Sequence, residues 1–216
     1  MLGLLITFEG IDGSGKSTAI RHVASILQEH FPERKIVLTA EPTSGAVGRI
    51  LRAELAAPGG GSEETLSSER MKELFLFMAD HAYHLTKTII PSLKEGAIIL
   101  SDRYADSTAA YQGVTLRGIV PEPVSWIQDI FRPWNTPPDR TLLFLLEPDA
   151  ALMRMQSRPG KEKFERLEFL RSVDENFRHM AHMEPQRFVP VDASQDEKTV
   201  ALNATSAVLD IIGKKH

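Results

Sequence analysis

The 216-residue sequence contains no cysteine, which excludes both a disulfide framework and a thiolate metal site. No apolar run approaches the roughly 18 residues that a membrane span needs. We therefore expect a cytoplasmic protein that does not bind a membrane. Basic side chains are not in excess either, because 25 Lys and Arg stand against 29 Asp and Glu, for a formal net charge of −4. This balance argues against a broad basic surface for nucleic acid.

The composition that remains is that of an ordinary globular chain, with 42% hydrophobic and 25% charged residues. The length predicts a single domain over 1–216. Residues 1–8 are apolar but lack the basic leader and cleavage site of a signal peptide, so we expect a first strand there. A flexible surface loop is predicted at 58–62, which reads Pro-Gly-Gly-Gly-Ser.

Short apolar runs alternate with helical patterns along the chain. The predicted strands are 4–8, 35–39, 97–100, 141–146 and 188–191, and the predicted helices include 20–31, 47–55, 67–93 and 200–212. The strands are continuous apolar runs, as expected where helices cover both faces of a sheet. The pattern predicts a doubly wound, five-stranded parallel sheet in a three-layer α/β/α domain.

A phosphate-binding loop is indicated between the first strand and the first helix, where Gly10-x4-Gly15-Lys16-Ser17 fits the P-loop pattern. Its glycines let backbone N–H groups turn inward, and the helix N-terminus adds partial positive charge. Lys16 is expected to reach the β- and γ-phosphates, and Ser17 to offer an oxygen to Mg²⁺. The residues expected to bind ATP are Gly10, Ile11, Asp12, Gly13, Ser14, Gly15, Lys16, Ser17 and Thr18. The alternative is a plain glycine turn before a helix.

Asp102-Arg103-Tyr104 directly follows the third predicted strand. Residues at the carboxyl end of a central strand face the ligand crevice of an open α/β sheet. Asp102 is expected to hold Mg²⁺ through water beside Ser17, and Arg103 to bind a second phosphate. The alternative is a structural Asp–Arg pair at the end of the strand.

The longer stretch DRYADSTAAYQG, residues 102–113, resembles the acceptor-site signature of thymidylate kinases. The resemblance covers nearly the whole chain, through the P-loop acid Asp12, Glu41-Pro42, the segment 73–80, Pro138-Asp139 and Asp192-Ala193-Ser194. It implies a P-loop NTPase fold with a mobile lid, ATP as donor, dTMP as acceptor and Mg²⁺ as cofactor. It also implies a homodimer formed through helices such as 67–93.

The same resemblance implies roles around the acceptor. Asp12 would accept a hydrogen bond from the 3′-hydroxyl, unless it is a solvent-facing loop residue. Arg103, with Arg52 behind it, would hold the monophosphate. Phe77 would stack on the pyrimidine without choosing between bases, unless it belongs to the core.

Four further acceptor residues follow from the signature. Tyr111 would lie where a 2′-hydroxyl would go, which favours deoxyribose. Ser107, Thr108 and Gln112 would line the base or its approach, or serve local cap and turn roles instead. His81 stands where the family usually has an arginine that reaches the thymine O4. A neutral histidine offers one donor and one acceptor, so it would donate to O4 or accept from N3–H; otherwise it is a surface residue.

The resemblance also implies a lid over residues of approximately 158–168. Some thymidylate kinases carry an arginine inside the P-loop, where this chain has Gly13, and in this branch the lid supplies the charge. Arg158 and Arg166 are the lid arginines expected to close over the transferring phosphoryl group. The alternative is a solvated charged helix face.

The predicted reaction is ATP + dTMP → ADP + dTDP, a step towards dTTP, without a covalent enzyme intermediate. The residues expected to act in catalysis are Lys16, Arg103, Arg158, Arg166 and Asp12. One rival is a related P-loop kinase acting on a nucleoside or another nucleoside monophosphate such as dUMP. The other is a nucleotide-binding module that has no phosphoryl acceptor.

Overall fold

The computed structural model of the protein describes residues 3–56, 63–156 and 167–214. Its five strands are β1 Leu4–Glu9, β2 Ile36–Ala40, β3 Ile98–Asp102, β4 Arg140–Leu145 and β5 Phe188–Asp192. All pair in parallel, in the order β2-β3-β1-β4-β5. The predicted five-stranded parallel sheet is therefore confirmed. The predicted loop at 58–62 and most of the predicted lid lie outside the described residues.

Helices cover both faces of this sheet. They are α1 Lys16–His30, α2 Ala46–Ala56, α3 Glu63–His84, α4 Ile90–Lys94, α5 Ala105–Thr115, α6 Pro123–Phe131, α7 Pro148–Gln156, α8 Leu167–Met183 and α9 Glu197–Lys214. Helix α1 packs against α9, whereas α5 packs against α3, α6 and α8. Within the described ranges, no helix is both long and apolar enough to cross a membrane.

The helix predicted over 67–93 is present as three consecutive segments, because a π-helical turn at Leu85–Ile89 joins α3 to α4. Pro91 lies in the first turn of α4. A proline has no backbone N–H to donate and clashes with the carbonyl four residues before it. The wider π turn directly ahead of Pro91 is consistent with that clash.

The sheet order opens a crevice at the carboxyl ends of β1 and β3. After β1 the chain crosses to β2, beyond β3, and after β3 it crosses the other way to β4, beyond β1. The two connections therefore leave neighbouring strands in opposite directions, and a crevice opens at their carboxyl ends. Register pairs Phe8 with Asp102, so the P-loop and the Asp102–Tyr104 segment begin side by side.

Candidate active site

The P-loop runs from β1 into α1, and its backbone depends on glycine. Gly13 has a φ of 81°, and a Cβ there would lie 2.7 Å from the carbonyl oxygen of Ala151 in α7. Gly10 has a φ of 134°, and its Cβ would lie 2.6 Å from the carbonyl oxygen of Phe144. Because side chains are excluded at both positions, an arginine in place of Gly13 would require α7 to move.

Lys16 folds back over this loop. Its Nζ donates to the carbonyl oxygens of Gly10 at 2.9 Å and Ile11 at 2.8 Å, and to Ser14 Oγ at 3.1 Å. Burial, and then the charge of Arg103, lowers the pKa of Lys16 to about 8, although nearby carboxylates oppose the change. The ammonium group therefore lies at the centre of the loop, where phosphate oxygens would replace the carbonyl oxygens as its partners.

Ser17 and Asp102 lie in contact at the exposed edge of the crevice. Ser17 Oγ donates to Asp102 Oδ2 at 2.5 Å. A hydroxyl and a carboxylate are ligands that suit Mg²⁺, which keeps several waters and binds through few protein groups. Across residues 3–56, 63–156 and 167–214, no cluster of three or more His, Cys, Asp or Glu side chains offers a metal cage. The two oxygens therefore fit a magnesium ion, whose remaining ligands the donor phosphates and water would supply.

A second pocket lies beside the loop, lined by most of the predicted acceptor residues. Its lining consists of Asp12, Glu41, Pro42, Leu55, Phe77, Arg103, Tyr104, Ser107, Thr108 and Tyr111. The cavity volume is about 60 Å³, well below the roughly 300–1,000 Å³ of ligand sites. Its walls must therefore separate before a nucleotide can bind.

Arg103 bridges the walls of this pocket. Its guanidinium forms an ion pair with Asp12 and donates to Ser107 Oγ at 2.9 Å and to the Tyr111 hydroxyl at 3.1 Å. The backbone of Arg103 has a φ of 70°, a left-handed conformation that costs about 1–3 kcal/mol for a residue with a side chain. Its N–H donates to the carbonyl oxygen of Phe8 at 3.1 Å, which fixes the conformation that directs the side chain across the crevice.

Asp12 is an ionised partner of this arginine. Burial alone would raise the pKa of Asp12, but the charges of Arg103 and Lys16 outweigh it and hold the pKa below its ordinary value. The backbone N–H of Asp12 donates to the Tyr111 hydroxyl at 3.1 Å. Asp12 is therefore not a solvent-facing loop residue, and Asp102 and Arg103 do not pair with each other.

Two residues predicted to touch the acceptor lie elsewhere. Gln112 is fully buried behind the pocket; its amide donates to Glu73 at 3.4 Å, and its Oε1 accepts from Thr115 at 2.9 Å. The contact with Thr115 is local, whereas Glu73 lies on α3, so Gln112 connects α5 to α3. Arg52 donates to the carbonyl oxygens of Pro42 and Thr43, and it lines a neighbouring cleft of about 770 Å³ that also contains Ser17 and Asp102. Arg52 thus lines the cleft of Ser17 and Asp102 and not the pocket beside Arg103.

The structure places His81 differently from both expectations. The side chain is fully buried, so it is not a surface residue, and it does not line the acceptor pocket. Its Nδ1 lies 2.8 Å from Glu41 Oε1 and its Nε2 lies 2.9 Å from Asn135 Oδ1, so neither nitrogen is free for a base. Burial lowers the pKa of His81, but the Glu41 carboxylate and its hydrogen bond outweigh this and raise it.

Four residues that line this pocket were not predicted to bind the acceptor, namely Glu41, Pro42, Leu55 and Tyr104, and Glu41 is the charged one among them. It was identified only as a family landmark, yet it lines the acceptor pocket while its Oε1 accepts from His81 and from His84 at 2.7 Å. The sequence signal for Glu41 was the Glu41-Pro42 pair, which resembles the same pair in the family. The predicted lid arginines, Arg158 and Arg166, lie outside the described residues.

Comparisons with known proteins agree with this arrangement. A family model described as thymidylate kinase matches residues 8–203. The chain is 44% identical over 216 residues to a probable thymidylate kinase of Methanosarcina acetivorans, covering 98% of each protein. It is 42% identical to one of Methanococcoides burtonii, covering 98% of this chain and 99% of that one. The crystal structure of thymidylate kinase from Ehrlichia chaffeensis superposes with a TM-score of 0.73 at 27% identity, covering 96% of this chain and 100% of the other.

Proposed function

The chain belongs to the thymidylate kinase family and is a nucleoside monophosphate kinase, and we propose that it transfers the γ-phosphoryl group of ATP to dTMP. The products are dTDP and ADP, and the reaction leads towards dTTP in the cytoplasm. The observation that carries the proposal is the position of Arg103. Its guanidinium touches Asp12 of the P-loop on one side and Ser107 and Tyr111 of the acceptor pocket on the other.

The contacts of Arg103 suggest how the acceptor is bound. A phosphate dianion competes well for a guanidinium, because the planar fork binds two oxygens at once. When the dTMP phosphate takes this position, Asp12 is released and its carboxylate accepts from the 3′-hydroxyl. Phe77 then stacks on the base, and the Tyr111 hydroxyl lies near the sugar, which favours deoxyribose.

Transfer itself then requires positioning and charge neutralisation. The acceptor is already an anion, so no strong general base is needed. Lys16 holds the β- and γ-phosphates while Arg103 holds the acceptor phosphate, which brings two anions into line. Ser17 and Asp102 would hold Mg²⁺, which supplies further positive charge to the donor phosphates. Arg158 and Arg166 of the predicted lid would add to it.

The proposal is tested with a panel of acceptors assayed for ATP-dependent ADP release: dTMP, dUMP, dCMP, UMP and thymidine. We expect kcat/KM for dTMP to exceed that for dUMP by about 10- to 200-fold, the range that one methyl group gives in an apolar pocket. Release should cease without Mg²⁺. Preference for thymidine would indicate a nucleoside kinase, and ATP binding without acceptor-stimulated turnover would indicate a binding module; either result rejects the proposal.

A dUMP kinase is the second candidate, because the residues assigned to the base edge do not distinguish uracil from thymine. His81 gives both ring nitrogens to Glu41 and Asn135, so this chain does not present the family's arginine to the base edge. Both pyrimidines carry the same O4 and N3–H groups, and only the 5-methyl group distinguishes them. If dUMP has the higher kcat/KM in the panel, this candidate replaces the first.

We also propose that the enzyme is a homodimer formed through α2 and α3, which pack together and leave Ile50 54% and Phe75 55% exposed. Large apolar side chains on neighbouring helices are typical of a covered face. Sedimentation should give twice the mass of one chain, and a double change of Ile50→Glu and Phe75→Glu should give a monomer. Met183, 66% exposed on α8, provides the control Met183→Glu. A monomeric wild-type protein would contradict the proposal.

A further inference from the structure

Glu9, the last residue of β1, has an unusual position for a carboxyl group. Its side chain is fully buried directly before the P-loop. Its Oε2 accepts from Ser107 Oγ at 2.5 Å, whereas its Oε1 has no hydrogen-bond partner among the described residues. An ionised carboxylate with a bare buried oxygen is costly, because the oxygen has lost its water without gaining a donor. The contacts therefore favour the neutral acid.

The charges around Glu9 lead to the same state. Asp106, on α5, carries a negative charge in its two-pronged ion pair with Arg187, at 2.5 and 3.0 Å. This charge repels a second anion beside it. Burial first, and then Asp106, raises the pKa of Glu9 to about 8, against the effects of Ser107, Arg103 and Lys16. Near neutral pH the group is mostly protonated.

Glu9 connects to the acceptor site through one hydroxyl. Arg103 Nη1 donates to Ser107 Oγ at 2.9 Å, and the same Oγ donates to Glu9. Arg103 already has Asp12 as a counter-charge. A second ionised carboxylate in this network would reduce the positive charge that Arg103 offers to a phosphate, whereas a neutral acid holds the hydroxyl and leaves the charge available.

We propose that Glu9 is a positioning residue that acts as a neutral carboxylic acid, fixing Ser107, and through it Arg103, for the acceptor phosphate. This inference rests on the proposed function, since it assigns a role in binding the acceptor monophosphate. It predicts that acceptor binding, and not ATP binding, depends on the protonation of Glu9.

The test compares the wild-type enzyme with Glu9→Gln, a neutral isostere, and Glu9→Ala, which removes the anchor of Ser107. At pH 7 we expect Glu9→Ala to raise KM for dTMP about tenfold or more, with a smaller change in KM for ATP. Glu9→Gln should restore kcat/KM for dTMP to within about threefold of the wild type. Such rescue by the amide distinguishes positioning by a neutral group from a need for negative charge.

The pH profile supplies a readout that packing alone would not change. Above pH 8 the wild-type kcat/KM for dTMP should fall, by up to about tenfold per pH unit, because kcat/KM reports the free enzyme. In Glu9→Gln this decline should be absent. The assay uses saturating ATP, whose phosphates hold Lys16 in its charged form. Lys16, whose pKa also lies at about 8, then titrates only in the enzyme without ATP and reduces kcat/KM for ATP in both proteins.

Thermal unfolding tests the neutral acid without any substrate. The pKa of Glu9 is raised from 4.5 to about 8 by burial, so between these values the folded state binds more protons than the unfolded state. This contribution makes stability fall as pH rises through that window, and Glu9→Gln lacks it. The Tm of Glu9→Gln should therefore exceed that of the wild type by a margin that grows from pH 5 to pH 8.

The results separate this inference from the proposed function. A folded Glu9→Gln variant that loses tenfold or more of kcat/KM for dTMP at pH 7 would overturn it, as would a dTMP-specific alkaline decline that persists in this variant. Wild-type kinetics for both alanine and glutamine variants would also overturn it. If the wild-type enzyme shows no dTMP-dependent turnover, the proposed function fails instead, and the Tm margin still decides whether Glu9 is neutral.

Discussion

Replacing Lys16 with alanine should lower kcat by about 10³-fold while leaving the fold intact. One preorganised donor aimed at developing charge is worth about 10²–10³ in kcat, and Lys16 adds a full positive charge to its hydrogen bonds. Its Nζ lies over the loop that would surround the phosphates, in contact with Gly10, Ile11 and Ser14. No other described ammonium group lines that loop.

The fold should survive because the charge of Lys16 does not stabilise it. Burial lowers the pKa of Lys16 to about 8, so the folded protein binds this proton less tightly than the unfolded chain does, and the charge costs stability below that pH. We therefore expect the Tm of Lys16→Ala to remain near or above the wild-type value. The measurement pairs dTMP-dependent ADP release with thermal unfolding.

Lys35→Ala is the matched control for Lys16→Ala. Lys35 is 58% exposed and pairs with Glu95 at the surface, so its loss should change neither activity nor stability appreciably. If Lys16→Ala retained wild-type turnover, the loop would not be the donor site. If Lys16→Ala failed to fold, the loop would require the hydrogen bonds that Gly10, Ile11 and Ser14 accept from Lys16, and the Lys16 side chain would stabilise the fold.

The parts of this site that could be predicted from sequence are those encoded by adjacent residues. Eight consecutive positions specify the P-loop, since glycine is needed at fixed points and the lysine follows at a fixed distance. All five strands could also be predicted close to their observed positions, because buried parallel strands are continuous apolar runs. Asp102 and Arg103 lie at the crevice because Asp102 ends β3 and Arg103 directly follows it, beside β1 in the sheet order.

What the sequence could not show depends on partners that are distant along the chain. His81 is held by Glu41 and Asn135, which lie 40 and 54 positions away, and nothing local indicates that both ring nitrogens are occupied. Helix α5 was not predicted because residues 105–113 are all buried, which removes the alternation that identifies a surface helix. Helix α8 was overlooked although Leu170, Val173 and Phe177 follow helical spacing.

Replacing Arg103 with alanine should lower kcat/KM for dTMP by about 10³-fold or more, within the 10³–10⁵ attributed to arginines that neutralise a transferring phosphoryl group. The change removes the counter-charge of Asp12 and the donor to Ser107 and Tyr111. KM for ATP should change much less, because the phosphate loop keeps Lys16. Steady-state kinetics with each substrate varied in turn measures the difference.

Arg103→Lys tests whether charge alone is sufficient. An ammonium group is a point charge without the planar fork, so one lysine cannot contact Asp12, Ser107 and Tyr111 together. We expect its kcat/KM for dTMP to lie between those of the wild type and Arg103→Ala. The control is Arg117→Ala, an exposed arginine that donates to Ser172 and should leave kcat/KM unchanged.

The backbone conformation of Arg103 allows its effect on stability to be measured separately from the effect of the guanidinium on activity. Arg103 has a φ of 70°, which glycine adopts freely and which costs a residue with a Cβ about 1–3 kcal/mol. Arg103→Gly should therefore be more stable than Arg103→Ala by about 1 kcal/mol, while both lose the same kcat/KM for dTMP because neither has a guanidinium. Equal activity with unequal stability would assign the strain to the backbone and the binding to the side chain. If the glycine variant regained activity, the left-handed conformation itself, and not the charge it directs, would be what the acceptor requires.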